Sequence, residues 1–284
     1  MKKWIDILKK TYQEWADDNC LQIGAALSFY TLSSLIPLLL VITSIFTYVL
    51  FFTQTGSSIT DSIVGYVSNN VSAEFGSQVE TILNNRSQDL ASGSIISAII
   101  GFVTLLFTAS GVFGQLDAAF DVIWDVPDEN KPSGIWGTIK AKIFSFGIVL
   151  AVAFILLVST ILTSVITSIT GTLSQYIPGG GILIPIVNFA VQLALISLVF
   201  MLLFKYLPNV KVEWRDVALG GVLTAVLWII GQLLLSFYFS TSSFSSYGVI
   251  GGVLAFLVYI YYSSQIVFFG GEFTQAYART HGSR

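Results

Sequence analysis

The chain has 284 residues, of which 54% are hydrophobic and 10% charged, against about 25% charged in an ordinary soluble domain. Ile143–Phe204 and Val217–Gly271 contain no Asp, Glu, Lys or Arg, so a soluble fold would have to bury all of both with nothing left for its surface. The formal charge of −3 is sorted by position rather than mixed, no basic stripe with interleaved aromatics marks a nucleic-acid partner, and the single cysteine, Cys20, excludes an intramolecular disulfide and a thiolate metal cage.

Residues 1–24 come first. Trp4, Ile5, Leu8, Tyr12 and Trp15 recur at helical spacing with lysines on other faces. Two readings stay open: an amphipathic interfacial helix on the inner leaflet, lysines near anionic lipid, or a helix packed under the bundle. The apolar run begins only near Leu21 and is too long for a cleavable signal peptide, so it reads as a retained signal anchor. Cys20 lies beside it, as an inert, partly buried thiol or a palmitoylation site.

Six segments without charge follow: Ala25–Phe52, Ile95–Leu116, Ile143–Ile169, Ile182–Phe204, Val217–Phe239 and Tyr247–Phe269, each of at least 22 residues. About 20 residues suffice to cross a bilayer core as a helix. Between the first two lies the only long outer loop, 53–94, whose apolar residues Ile59, Ile63, Val67, Val71, Phe75, Val79 and Ile82 keep helical periodicity. Asn69–Asn70 divides it into two short amphipathic helices that cap the outer mouth or lie on the outer leaflet. Pro178-Gly179-Gly180-Gly181 forces a turn in the third loop, and the short Ser240–Ser246 link makes a hairpin of the last two segments.

Twelve of the thirteen Lys and Arg residues fall in the N-terminal segment, the second and fourth loops and the C-terminal tail; Arg86 alone lies on the other side. Cytoplasmic loops retain Lys and Arg. The expected architecture is therefore an all-α integral membrane protein with six transmembrane helices and both termini in the cytoplasm. Residues 25–272 form the membrane domain and 273–284 a cytoplasmic tail. A bacterial cytoplasmic (inner) membrane location goes with it.

No carboxylate, amine or imidazole lies mid-span, which lowers the expectation of an ion-coupled transporter. The polar residues inside the spans are neutral: Ser28, Tyr30, Thr31, Ser33 and Ser34 before a kink at Pro37, then Asn188 and Gln192 at i, i+4, Gln232, Tyr247 and Gln265. They either glue helices together or line a polar groove that a substrate follows. Gly248, Gly251 and Gly252 read most simply as close-packing sites. Ionisable groups gather at the inner edge: Asp117, Asp121 and Asp125 on one stripe, Lys205, Arg215, Asp216 and Glu272. The three aspartates repel one another unless cations meet them, so partners are expected among Lys140, Lys142, Lys205 and Arg215. The set forms either an ion-pair ring fixing helix ends or a cytoplasmic gate or headgroup-binding ring.

Four blocks bring a family into view. They are Ala25-Ala26-Leu27-Ser28-Phe29-Tyr30 with Ser33-Ser34-Leu35-Ile36-Pro37; Gly111 through Phe120-Asp121-Val122-Ile123-Trp124; Tyr206-Leu207-Pro208-Asn209 with Trp214-Arg215-Asp216 and Trp228; and Tyr247-Gly248-Val249-Ile250-Gly251-Gly252 with Gly270-Gly271-Glu272. In this order, from about residue 20 to 276, the chain resembles the BrkB/YihY family of bacterial inner-membrane proteins, once labelled ribonuclease BN. The resemblance implies six membrane helices, with some members linked to serum resistance and others to movement of lipid-anchored envelope precursors. The family usually has Asn at the position of Asp121, so a hydrogen-bonding role there would become ionic. The nuclease label does not suit the chemistry, because metal-dependent hydrolysis needs clustered His and carboxylate ligands and this chain has one histidine, His281, near its end.

The expected function is of transport type, passive translocation or binding of a lipid or amphiphilic envelope precursor, with no enzymatic activity, metal or cofactor. The alternative is a scaffold or assembly factor for an envelope complex. Expected partners are membrane lipids, a lipid-linked substrate and a second copy or envelope-machinery protein, and no nucleic acid.

Overall fold

A computed structural model of the chain describes residues 2–35, 56–70, 73–90, 111–112, 114–127, 129, 180–242 and 244–281. The described residues are helical, with no strand among them. In chain order they form α1 (Lys2–Asp17), α2 (Cys20–Leu35), α3 (Gly56–Asn70), α4 (Ala73–Leu90), α5 (114–123), α6 (Gly180–Tyr206), α7 (Trp214–Thr241), a 3₁₀ turn (Phe244–Tyr247) and α8 (Gly248–His281). Among them, stretches of α6 (Phe189–Tyr206), α7 (Trp214–Thr241) and α8 (Ile250–His281) are long and apolar enough to cross a bilayer, and α2 is apolar and shorter. The remainder of the second segment and all of the third, with Pro37, the Pro178 turn, Lys140 and Lys142, lie outside the described residues.

The chain forms two compact units. One contains Met1–Cys20, Asp117–Ile230 and Ile266–Arg284; the other contains Leu21–Leu116 and Gly231–Gln265. In the first unit, Phe120 and Phe204 meet at 5.9 Å, Phe120 and Phe268 at 6.5 Å, and Phe200 and Trp228 at 5.7 Å between ring centroids. In a bilayer, apolar surface gains little by leaving lipid for protein, so close packing and small residues hold helices together. α7 and α8 show how. A methyl group on Gly220 would lie 1.8 Å from Thr274 Oγ1, and one on Gly270 would lie 2.0 Å from Thr224 Oγ1. Each helix thus offers a glycine to the other's threonine four residues along. Both hydroxyls are satisfied within their own helices, Thr224 by the Gly220 carbonyl at 2.6 Å and Thr274 by the Gly270 carbonyl at 2.7 Å.

The second unit holds the loop helices. α3 ends at Asn70, in the Asn69–Asn70 pair expected to divide the loop helices, and α4 begins at Ala73. Phe75 and Val79 of α4 pack on Phe256 of α8, with Leu32 and Leu35 of α2 and Val64 and Val67 of α3 around them. The Phe75 and Phe256 rings stack at 5.0 Å. Gly252 lets the α4 backbone approach, because a methyl there would lie 3.0 Å from the Phe75 nitrogen. At Gly251 a methyl would lie 1.9 Å from the Phe244 carbonyl oxygen. Gly248 differs from both: nothing lies within 4 Å of a methyl there, and its φ of +55° is what needs glycine.

The last helix runs 12 residues beyond Phe269, to His281. Phe273, Ala276 and Tyr277 from that extension pack with Ile7 of α1, and Trp4 stacks on Tyr277 at 6.0 Å. α1 therefore lies against the end of α8. Its Trp4, Ile5, Leu8 and Tyr12 nevertheless remain exposed, Tyr12 by 62%. Of the two readings of its pattern, the contact with α8 matches the helix packed on the rest of the fold.

Candidate functional site

Two polar regions emerge, one in each unit. The first is neutral. On α2, Ser28 is buried and donates to the Gly24 carbonyl at 2.8 Å. Gly24 faces α8 so closely that a methyl there would lie 2.1 Å from Gln265 Nε2 and 2.6 Å from Ser264 Oγ. The structure thus brings Ser28 and Gln265 to either side of one glycine. Ser34 is buried and donates to the Thr31 carbonyl, and Ser263 is buried with no hydrogen-bond partner for its hydroxyl among the described residues. Such a group costs free energy and calls for an explanation. Gln232 lies beside Tyr259 in the same unit.

The other neutral residues singled out in the sequence point elsewhere. Tyr30 is 41% exposed, with its ring over Gly111, where a methyl would lie 2.9 Å from Cδ1. Ser33 is exposed and donates to the Phe29 carbonyl; Tyr247 is exposed. In the first unit, Gln192 is exposed. Pro37 and the Asn188 side chain are not among the described parts.

The second region is a carboxyl network in the first unit. Glu272, on α8, is fully buried. Beside it the Cys20 thiol, also fully buried, donates to Oε1 at 3.8 Å, and Asp18 shares a hydrogen bond with it. Two carboxyls joined by a hydrogen bond hold a proton between them. Burial pushes the Asp18 carboxyl above its usual range; the Glu272 hydrogen bond opposes this, and the charges of Asp125, Glu14 and Asp17 add to it. Burial, then the neighbouring Glu272 charge, also pushes the Cys20 thiol up. The thiol is therefore weakly acidic and closed in, as expected of an inert cysteine.

Around this pair, Gln275 donates to Asp125 Oδ2 at 2.9 Å. Arg279 bridges Asp125 and Glu14, reaching the latter at 3.4 Å, and Lys10 also meets Glu14 at 3.6 Å. These contacts tie α1, the end of α5 and the end of α8 together. Asp125 can join because it has left the helix: its φ is +44°, while its N–H reaches the Val122 carbonyl and that of Val126 reaches Asp121. A left-handed residue closes the helix, and Pro127 follows.

That exit changes the expected aspartate stripe. Asp117 and Asp121 stay on α5, where Asn209 donates its amide to Asp121 Oδ1 at 2.9 Å and to Asp117 Oδ1 at 3.5 Å. Burial, then the Asp121 charge, pushes Asp117 up to about 6, against the effect of the Asn209 hydrogen bond. Neither described cation expected as a partner supplies these contacts. Lys205 donates to the Val212 carbonyl and sits 5.4 Å over the Trp214 ring, while Arg215 is exposed. The amine is used to fasten the 207–213 turn that carries Asn209. Asp121 keeps a hydrogen-bonding role even as a carboxylate. Asp216 is buried at the start of α7.

The residues that sequence reasoning passed over are Glu14, Asp18, Asn209, Gln275 and Arg279. Asn209 had a usable signal, its place in the Tyr206-Leu207-Pro208-Asn209 block. The Asp18–Glu272 and Asp125–Arg279 contacts join positions far apart in the chain, and spacing carries no sign of them. His281 stacks on Tyr277 at 4.1 Å, and among the described residues no three His, Cys, Asp or Glu are placed to hold a metal ion.

Known proteins can be set beside this geometry. The chain is 28% identical over 277 residues to a UPF0761 membrane protein of Psychrobacter sp. (strain PRwf-1), covering 95% of this chain and 48% of that protein. It is 27% identical over 277 residues to the putative ribonuclease-like protein YfkH of Bacillus subtilis (strain 168), covering 94% of each. A UPF0761 membrane protein of Teredinibacter turnerae is 29% identical over 272 residues, covering 95% of this chain and 60% of that protein. The chain thus spans about half to three fifths of those two UPF0761 relatives and nearly all of the Bacillus one. No solved structure matches it. The virulence factor BrkB family model matches residues 11–284, and the chain, a membrane protein, belongs to that family.

Proposed function

We propose that this protein gives a lipid or amphiphilic envelope precursor a passive path across the bacterial inner membrane. Six spans with cytoplasmic termini, read from the distribution of Lys and Arg, supply the frame. The observation that carries the reading is neutral polarity buried within apolar helices. Ser28, Ser34, Ser263 and Ser264 are buried in the second unit, Gln265 lies against Gly24, and Ser263 has no described partner. A headgroup crossing hydrocarbon needs hydrogen-bonding groups that do not trap it by charge, while its tails remain in the bilayer. In the first unit, taken by itself, Asp117, Asp121, Lys205, Arg215, Asp216 and Glu272 are the gate or ion-pair residues of this reading. The protein does no chemistry of its own in this reading.

Alanine at Ser28 and Ser263, in proteoliposomes carrying headgroup-labelled lipid, should slow protein-dependent translocation several-fold while the protein still folds. Unchanged rates in the doubly substituted protein would count against the path. A second reading, a scaffold for an envelope complex, draws on the exposed aromatic face of α1. A stoichiometric protein partner recovered by crosslinking in membranes, with no translocation, would favour it.

A further inference from the structure

α1 carries one wide apolar face, and among the described residues only its Ile7–Thr11 edge is buried. Ile7 and Thr11 are buried, with Ile7 packed on Phe273, Ala276 and Tyr277. Further round the helix, Ile5, Leu8 and Tyr12 fall within about 60° of one another at 3.6 residues per turn. They are 51%, 44% and 62% exposed. Lys9 borders this stripe and is itself exposed; Lys3, also exposed, lies on the opposite side of the helix. Residues 1–10 hold four lysines against one acid, Asp6, a balance of +3. Of the later acids, Glu14 meets Arg279 and Lys10, Asp18 meets Glu272, and Asp17 is exposed on the side of the helix away from the stripe.

Depth agrees with charge. α1 packs on α8 at Phe273–Tyr277, which lies 4 to 8 residues beyond the uncharged segment ending at Phe269. At ~1.5 Å per residue that is about 6–12 Å past the hydrocarbon edge, the level of lipid headgroups. An exposed aromatic and aliphatic stripe bordered by lysine, at that level, suits the interface between headgroups and acyl chains. We propose that the Ile5–Leu8–Tyr12 face of α1 is an anionic-lipid docking surface, clamped between the inner leaflet and the end of α8. This rests on the membrane location and on the cytoplasmic N-terminus, not on the translocation reading, so the two can fail separately.

The test uses the full chain with Cys20→Ser, reconstituted in vesicles of phosphatidylcholine with or without phosphatidylglycerol. A nitroxide is placed singly by Ile5→Cys, Tyr12→Cys and, as a control on the exposed polar side, Gln13→Cys. In anionic vesicles, labels at positions 5 and 12 should be more accessible to oxygen than to a water-soluble nickel chelate, and the label at 13 the reverse. Lys9→Gln should lower the ratio of docked to undocked α1 about fivefold. Labels at 5 and 12 as open to nickel as the label at 13 would overturn the docking surface. Immersion equal in neutral and anionic vesicles, and unchanged by Lys9→Gln, would overturn the anionic partner.

Discussion

The reciprocal glycine–threonine contact between α7 and α8 should be the most sensitive point of the first unit. It fixes the register of α8, and with it where Glu272 and Gln275 meet Asp18 and Asp125. Gly220→Ala would place a methyl 1.8 Å from Thr274 Oγ1, 2.9 Å from its Cβ and 3.1 Å from its Cγ2. Rotating the threonine cannot cure this, because Cβ itself is too close and both branches lie nearby. The helices must separate. Overpacking of this kind costs about 1–3 kcal/mol, offset by up to about 1 kcal/mol from the better helix propensity of alanine. The net loss should be about 1–2 kcal/mol. Thr274→Ala alone should cost about 1 kcal/mol, and in the double variant the new methyl takes the space vacated by the hydroxyl. Cβ stays 2.9 Å from the new methyl, so the two changes should compensate in part, with a coupling of about 1 kcal/mol. Reversible unfolding of the purified protein in mixed micelles, followed by circular dichroism, gives the four stabilities of the cycle. Additive effects, or a Gly220→Ala protein more stable than the parent, would refute the contact.

Asp117 supplies a pH prediction. Its carboxyl titrates at about 6 in the fold against 3.8 as a reference, so the folded state binds the proton more tightly than the unfolded state does. Stability should fall as pH rises from about 4 to 6, and the penalty is then complete. A two-unit shift is worth about 3 kcal/mol, which partial exposure reduces to about 1–2 kcal/mol. Asp117→Asn should accordingly be neutral near pH 4 and stabilising at pH 7.5, and melting curves at both pH values would check the difference. Asn209→Ala removes the donor shared by Asp117 and Asp121 and should cost about 1–3 kcal/mol at pH 7.5; combining it with Asp121→Asn should recover part of that loss in the same melts. Gly251→Ala would set a methyl 1.9 Å from the Phe244 carbonyl oxygen, whereas Gly248→Ala meets no atom and only strains a φ of +55°. Denaturant unfolding should show the first to be the more damaging, by about 1 kcal/mol or more.

Much of the helical pattern was open to reading because apolar composition and turn residues act locally. The break beside Asn69–Asn70 and the long helices α6, α7 and α8 follow from them. Glycine was only partly legible. Gly251 and Gly252 are close-packing sites as expected, but Gly248 serves a backbone turn; Gly220 drew no notice and Gly270 only as part of a sequence block, because a glycine in an apolar run does not name its partner. Periodicity put Asp117, Asp121 and Asp125 on one stripe. The left-handed turn at Asp125 then took the third of them to Arg279 and Gln275, a three-dimensional outcome of the helix ending. Ser28 and Gln265 were chosen for polarity within a span, and only packing reveals that both meet Gly24. Tyr30, Ser33, Gln192 and Tyr247 were chosen in the same way and face outward, since composition says that a residue is polar and not which way its helix turns it.

Translocation by the purified protein is the most direct measurement. Proteoliposomes with headgroup-labelled lipid in both leaflets are treated with a membrane-impermeant quencher. The account predicts that protein-containing vesicles lose the protected inner-leaflet signal and that empty vesicles retain it, with no added energy source. Retention of that signal for lipids with anionic and zwitterionic headgroups, and for a polyprenyl-phosphate lipid, would contradict a passive lipid path.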